Sequence, residues 1–136
     1  MSSKLKKIAV GAAAAAAMAT GLTALTPGAA QAAAYNGSCG SGYGVIDAMS
    51  LVGRGTVYLT YSGGTGKNCV VTVRDNPGSR LPMTASVSLA GAPWITDSGS
   101  YTTYAGPVYV TARDRCIDWG GSINGLGSYQ YNVHCG

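Results

Sequence analysis

Residues 56–74 read TVYLTYSGGTGKNCVVTVR. In the first six, Val57, Leu59 and Tyr61 alternate with Thr56, Tyr58 and Thr60. In Cys69–Arg74 the same period puts Cys69, Val71 and Val73 on one side, with Thr72 and Arg74 pointing away. A period of two places alternate side chains on opposite faces of an extended chain, the signature of a half-buried strand. Between the two runs, Ser62-Gly63-Gly64-Thr65-Gly66 supplies residues that tolerate the backbone angles of a tight reversal. The stretch therefore predicts a β-hairpin, and the rest of the chain repeats the pattern.

Met83, Ala85, Val87 and Leu89 alternate with Thr84, Ser86 and Ser88. Val108, Val110 and Ala112 alternate with Tyr109, Thr111 and Arg113. The last run puts Tyr129, Tyr131, Val133 and Cys135 on one side and Gln130, Asn132 and His134 on the other. Weaker strand candidates are Gly44–Leu51, Ser100–Tyr104 and Cys116–Trp119. Asn76-Pro77-Gly78 and Gly91-Ala92-Pro93 break the chain, and Asn124-Gly125 suits a type I′ turn between the last two strands. Seven or eight short strands at this spacing predict an all-β fold, a single small antiparallel β-sandwich or barrel.

The N-terminus reads as a removable leader. Lys4, Lys6 and Lys7 precede eighteen uncharged, alanine-rich residues, Ile8–Leu25, then Thr26-Pro27-Gly28 and Ala30-Gln31-Ala32. A basic start, an apolar stretch and a small-x-small site define a secretory signal peptide. Cleavage is expected after Ala32, with Ala34 as the second choice. The domains are then 1–32, removed, and 33–136, one β domain. A membrane anchor is the competing reading, but Ala, Gly and Thr are weakly apolar and a cleavage site follows. No Arg-Arg pair is present, so general secretion is expected over the twin-arginine route.

Removal of the leader changes the electrostatics. Three of the nine basic residues lie before residue 33, which leaves six against five acids, net +1. The sequence pI near 9.0 describes the precursor. No basic stripe remains to track phosphates, so no nucleic-acid partner is expected. All five acids are aspartates and the chain has no phenylalanine.

Cys39, Cys69, Cys116 and Cys135 all lie in the mature part. An even count in a small exported chain implies two disulfides. Three pairings are possible. Cys39–Cys69 with Cys116–Cys135 is preferred, because each closes a local loop and together they pin both chain ends. No cysteine spacing fits a zinc site, so neither metal nor cofactor is expected.

Candidate chemistry is sparse. His134 adjoins Cys135, but strand alternation sends the two side chains apart and oxidation removes the thiolate. No G-x-S-x-G elbow is present. Arg113-Asp114-Arg115-Cys116-Ile117-Asp118 reads as a solvated turn whose aspartates pair with the arginines. Gly66-Lys67 fails as a phosphate loop, because Asn68 replaces the hydroxyl residue and a strand follows. Asn36-Gly37-Ser38 is a formal glycosylation sequon at the expected frayed end. The aromatics carry the binding hint: Trp94, Tyr101, Tyr104 and Tyr109 are the candidates for an outward-facing surface, with Tyr58 beside them. Trp119 and about half of the tyrosines are assigned to the core in place of phenylalanine.

Three blocks carry a family resemblance: Tyr35-Asn36-Gly37-Ser38-Cys39-Gly40-Ser41-Gly42-Tyr43-Gly44-Val45-Ile46-Asp47, then Thr65–Arg74, then Tyr129-Gln130-Tyr131 running to Cys135-Gly136. Together they resemble the secreted spore-associated protein A family of filamentous actinomycetes, over essentially the whole mature chain. The resemblance implies an exported protein found with aerial hyphae and spores, whose partners are spore or hyphal surface components. It carries over no catalytic residue. The expectation is a non-enzymatic structural or surface-associated protein, free of the membrane once the leader is cut. Two alternatives stand beside it. One is a small protease or glycosidase inhibitor presenting Ser79-Arg80-Leu81-Pro82, and the other is a glycan-binding module built on Trp94 and the outward tyrosines.

Overall fold

The computed structural model describes residues 33–136, and the leader expected over 1–32 lies outside them. Eight strands form two antiparallel four-stranded sheets. The first sheet holds β1 (Gly44–Leu51), β2 (Gly55–Ser62), β3 (Lys67–Arg74) and β6 (Tyr104–Thr111), in the order β1-β2-β3-β6. The second holds β4 (Leu81–Leu89), β5 (Ile95–Tyr101), β7 (Ile117–Ile123) and β8 (Leu126–Val133), in the order β5-β4-β7-β8. The fold is thus a sandwich. The hairpin predicted over 56–74 is β2-β3, closed by the Gly66 amide donating to the Ser62 carbonyl at 2.8 Å. Asn124 and Gly125, at φ 49° and 86°, make the reversal between β7 and β8 that the type I′ turn requires.

The two sheets bury Val57, Leu59, Val70, Met83, Ala85, Val87, Ile117, Trp119 and Ile123 between them. Trp119 is fully buried, as expected from its replacement of phenylalanine. On β3 the core side is opposite to the one the alternation marked. Val70 and Thr72 face the second sheet, and the Thr72 hydroxyl donates to the Thr84 carbonyl at 2.8 Å. Cys69, Val71 and Val73 form a second, smaller core on the outer face, under Ala33, Tyr35, Tyr43 and Tyr58. A strand covered on both faces reads as a continuous apolar run, so alternation alone could not choose its core side.

Both chain ends are stapled, in the preferred pairing. Cys39–Cys69 holds the N-terminal segment across the outer face of β3, and Cys116–Cys135 ties the C-terminal tail to the start of β7. Arginines close the ends of the sandwich. Arg54 Nη1 donates to the carbonyls of Ile123 and Asn124 at 3.0 and 2.7 Å, which joins the β1-β2 turn to the β7-β8 turn. Arg74 Nη1 donates to the Ser79, Tyr101 and Thr102 carbonyls, gathering the β3-β4 and β5-β6 loops, two of the three that cross between the sheets. Charge-assisted bonds of this kind are among the stronger neutral-pH contacts available to a loop.

Three expectations change. Ser100–Tyr104 is no strand of its own, because Thr102 and Thr103 turn the chain between β5 and β6. Asp118 does not pair with an arginine. It is buried and accepts from the Gly91 and Asn132 amides at 3.1 and 2.8 Å. Arg113 in turn donates to the Gly63 carbonyl at 2.7 Å. The alternation also fails along β8. Its pairing with β7 shifts between Ile117 and Trp119, and Asn132 sits at φ 56°. Val133 therefore packs against the core while Tyr129 and Tyr131 stay outside.

Candidate functional site

The four aromatics singled out from the sequence do not form one site. Tyr109 lies on the outer face of the first sheet, edge-on to Tyr43, with its hydroxyl donating to the Cys39 carbonyl at 2.9 Å. It is a clamp on the N-terminal segment, as is Tyr58, which packs against Tyr35 and bonds the Ala33 carbonyl. Burial, then the neighbouring Tyr43 and Tyr35, raise the Tyr109 pKa above its ordinary value.

Tyr101 and Tyr104 lie at the β5-β6 turn, in a shallow depression with Arg80. The Tyr101 hydroxyl donates to Asp97 Oδ1 at 2.5 Å, and Asp97 Oδ2 accepts the Gly106 amide at 2.8 Å. The carboxylate thus links edge strand β5 to β6 of the other sheet. Its hydrogen bond holds the phenol protonated and raises the Tyr101 pKa, with burial and the carboxylate charge adding to it. Arg80 is exposed, but its guanidinium folds back to the Ser100 carbonyl at 2.9 Å. An inhibitory loop would need that side chain free to enter a specificity pocket.

Trp94 is placed differently. It enters from the β5 edge and meets Tyr129 and Tyr131 of β8, the opposite edge, with ring centroids 5.9 and 6.1 Å away and planes at 64° and 68°. Tyr129 in turn lies flat against Gly120, which has no side chain to hold the ring off the sheet. A Cβ at Gly120 would collide with the Tyr129 ring. The three rings border a depression of about 290 Å³ whose other lining residues are Thr84, Ser86 and Thr96. Tyr129 and Tyr131 were missed as candidates because the alternation placed them with Val133. The Gly120-Gly121 pair next to Trp119 was the available signal, since a glycine in a strand interior often marks a close approach.

His134 belongs to another depression, of about 390 Å³, with Ile46, Tyr61, Asn68, Ala112, Asp114 and Gly136. The strand ends at Val133, and His134 adopts φ 54°. Its Nε2 lies 2.9 Å from Asp47 Oδ2 on β1, so it reaches the other sheet instead of lying on the polar face of a terminal strand. A histidine held by a carboxylate is two-thirds of a hydrolytic triad. The lining residues offer no serine, threonine or free cysteine as the third member.

A small β-sandwich braced at both ends by disulfides, with its aromatics in separate surface clusters, defines the class. No family model matches the sequence, and no solved structure matches it. The chain is 48% identical over 119 residues to Spore-associated protein A of Streptomyces coelicolor, an alignment covering 85% of this chain and 77% of that protein. The chain belongs to the spore-associated protein A family.

Proposed function

We propose that this is a secreted, non-catalytic protein of the spore and aerial-hyphal surface, retained there by uncharged contacts. The observation that carries the reading is the close relationship to a protein named for its association with spores. Other features support it. All four cysteines are oxidised, which suits an extracellular compartment. Arg54, Arg74, Arg80 and Arg113 each spend guanidinium donors on backbone carbonyls, and the mature chain carries a net charge near +1, which favours uncharged over electrostatic retention. The His134–Asp47 pair has no serine, threonine or free thiol beside it among the residues lining its depression.

The test is fractionation of the native protein among medium, hyphae and washed spores. The expected result is recovery from spores, resistance to molar salt and release by mild detergent or denaturant. Release by salt alone would make the retention electrostatic. Absence from spores and hyphae alike would remove the surface assignment.

A further inference from the structure

The register of the second sheet sets two cross-strand rows on its outer face. One runs Thr96–Ser86–Gly120–Tyr129, from edge strand β5 to edge strand β8. The next runs Ser98–Thr84–Ser122–Gly127. The hydroxyls are ordered by one another: Ser86 Oγ lies 2.9 Å from Thr96 Oγ1, and Thr84 Oγ1 lies 2.7 Å from Ser122 Oγ. Each pair uses one proton internally and retains one O–H donor and further acceptor capacity; Ser86 itself is buried, so Thr96, Thr84 and Ser122 are the hydroxyls open to a ligand.

At one side of this hydroxyl field stand the rings. Tyr129 lies across the two glycines: a Cβ on Gly120 would run into one edge of the ring, and one on Gly127 would come within 3.0 Å of the other. Trp94 rises beside it at 64°. Trp94 is 41% exposed, Tyr129 39% and Tyr131 62%. The depression they border has no charged side chain in its lining. The nearby Asp118 has both oxygens engaged, one by the Gly91 amide and one by that of Asn132.

We propose that this face binds an uncharged, β-linked glycan chain, with Tyr129 as floor and Trp94 as wall for one sugar ring and the hydroxyl rows bonding its neighbours. A pyranose has an apolar C–H face and a rim of hydroxyls, and the sheet presents the complement of each: aromatic rings and ordered hydroxyls. The absence of charge on the face matches a neutral ligand, whereas an anionic one would require cations. A second copy or another protein would call for an apolar centre, and here the rings sit to one side of a polar field. A β-1,4-linked chain is an extended ribbon and can follow a sheet row, which a coiled α-1,4-linked chain such as starch cannot. The proposal deepens the surface reading above and rests on it only for where such a glycan would be met.

The experiment uses the exported protein with chitohexaose, cellohexaose, insoluble chitin, insoluble cellulose and starch. Trp119 is fully buried, so a ligand-dependent change in tryptophan emission reports on Trp94. The expected result is a saturable emission change with at least one β-linked oligosaccharide, retention on the matching solid in molar salt, and none on starch. Trp94→Ala and Tyr131→Ala, both at exposed positions, should each bind about tenfold more weakly with an unchanged melting temperature. No emission change and no retention on either β-linked glycan would overturn the proposal, as would variants that bind like wild type. A concentration-dependent dimer abolished by Trp94→Ala would assign the face to a second copy instead. Spore recovery without glycan binding would remove this inference and leave the surface reading, and glycan binding without spore recovery would do the reverse.

Discussion

The Thr72 hydroxyl occupies the space that a side chain at Gly121 would need. Thr72 on β3 donates across the sandwich to the Thr84 carbonyl at 2.8 Å, and a Cβ on Gly121 would collide with that hydroxyl and lie 2.7 Å from the same carbonyl. The close approach of the two sheets at this point depends on a glycine facing a short polar side chain. Gly121→Ala should destabilise the protein by about 3 kcal/mol, the upper part of the usual cost of overpacking a core. Thr72→Val removes one buried bond and should cost about 1 kcal/mol. Denaturant melts of both variants check the order, and equal stabilities would show that the sheets can separate here without penalty.

The C-terminal tail has two attachments of unequal strength. Cys135→Ser opens the bridge to Cys116, and loss of a native disulfide in a small domain costs roughly 2–5 kcal/mol. His134→Ala removes only a pair whose members are about 30% exposed, so its effect should stay below about 1 kcal/mol. Thermal melts should show a large drop for the first and little for the second. A Cys135→Ser protein melting with wild type would refute the tail staple.

Cleavage after Ala32 would turn the Ala33 amide nitrogen into the mature α-ammonium. That nitrogen lies 3.0 Å from Asp75 Oδ1, and the Ala33 carbonyl accepts from the Tyr58 hydroxyl. The new charge would strengthen the existing contact. Cleavage after Ala34 would delete both contacts. Intact mass of the exported protein should correspond to a chain beginning at Ala33 with no free thiol. Asp75→Asn in that form should cost about 1 kcal/mol and lose its effect in high salt.

Alkaline pH should loosen the edges of the sandwich through Tyr101 and Tyr109. Both phenols have folded-state pKa values raised above the ordinary 10. The folded protein therefore holds these protons more tightly than the unfolded chain. Their contribution is fully present below pH about 10 and is lost as pH rises through the raised values. Ultraviolet titration should show Tyr101 and Tyr109 ionising above pH about 10, and Tyr101→Phe should remove one late-ionising phenol. Two late phenols that persist in Tyr101→Phe would show that the Asp97 hydrogen bond is not the cause.

Alternation along 56–74, the cysteine count and Asn124-Gly125 were enough to place the hairpins, the two staples and the all-β class. These are local properties: the side-chain period, turn geometry and loop closure depend on neighbours in sequence. The core side of β3 was not legible, because Cys69-Val70-Val71 is apolar on both faces and the Tyr35–Cys39 segment that covers one of them comes from elsewhere in the chain. Nor was the grouping of Trp94 with Tyr129 and Tyr131 legible. It depends on the shift in β7-β8 pairing, the positive φ of Asn132 and the open floor at Gly120. Periodicity assigns a residue to a face only while the register is unbroken. One shift moves every side chain beyond it, and only the packed tertiary structure decides which rings then meet.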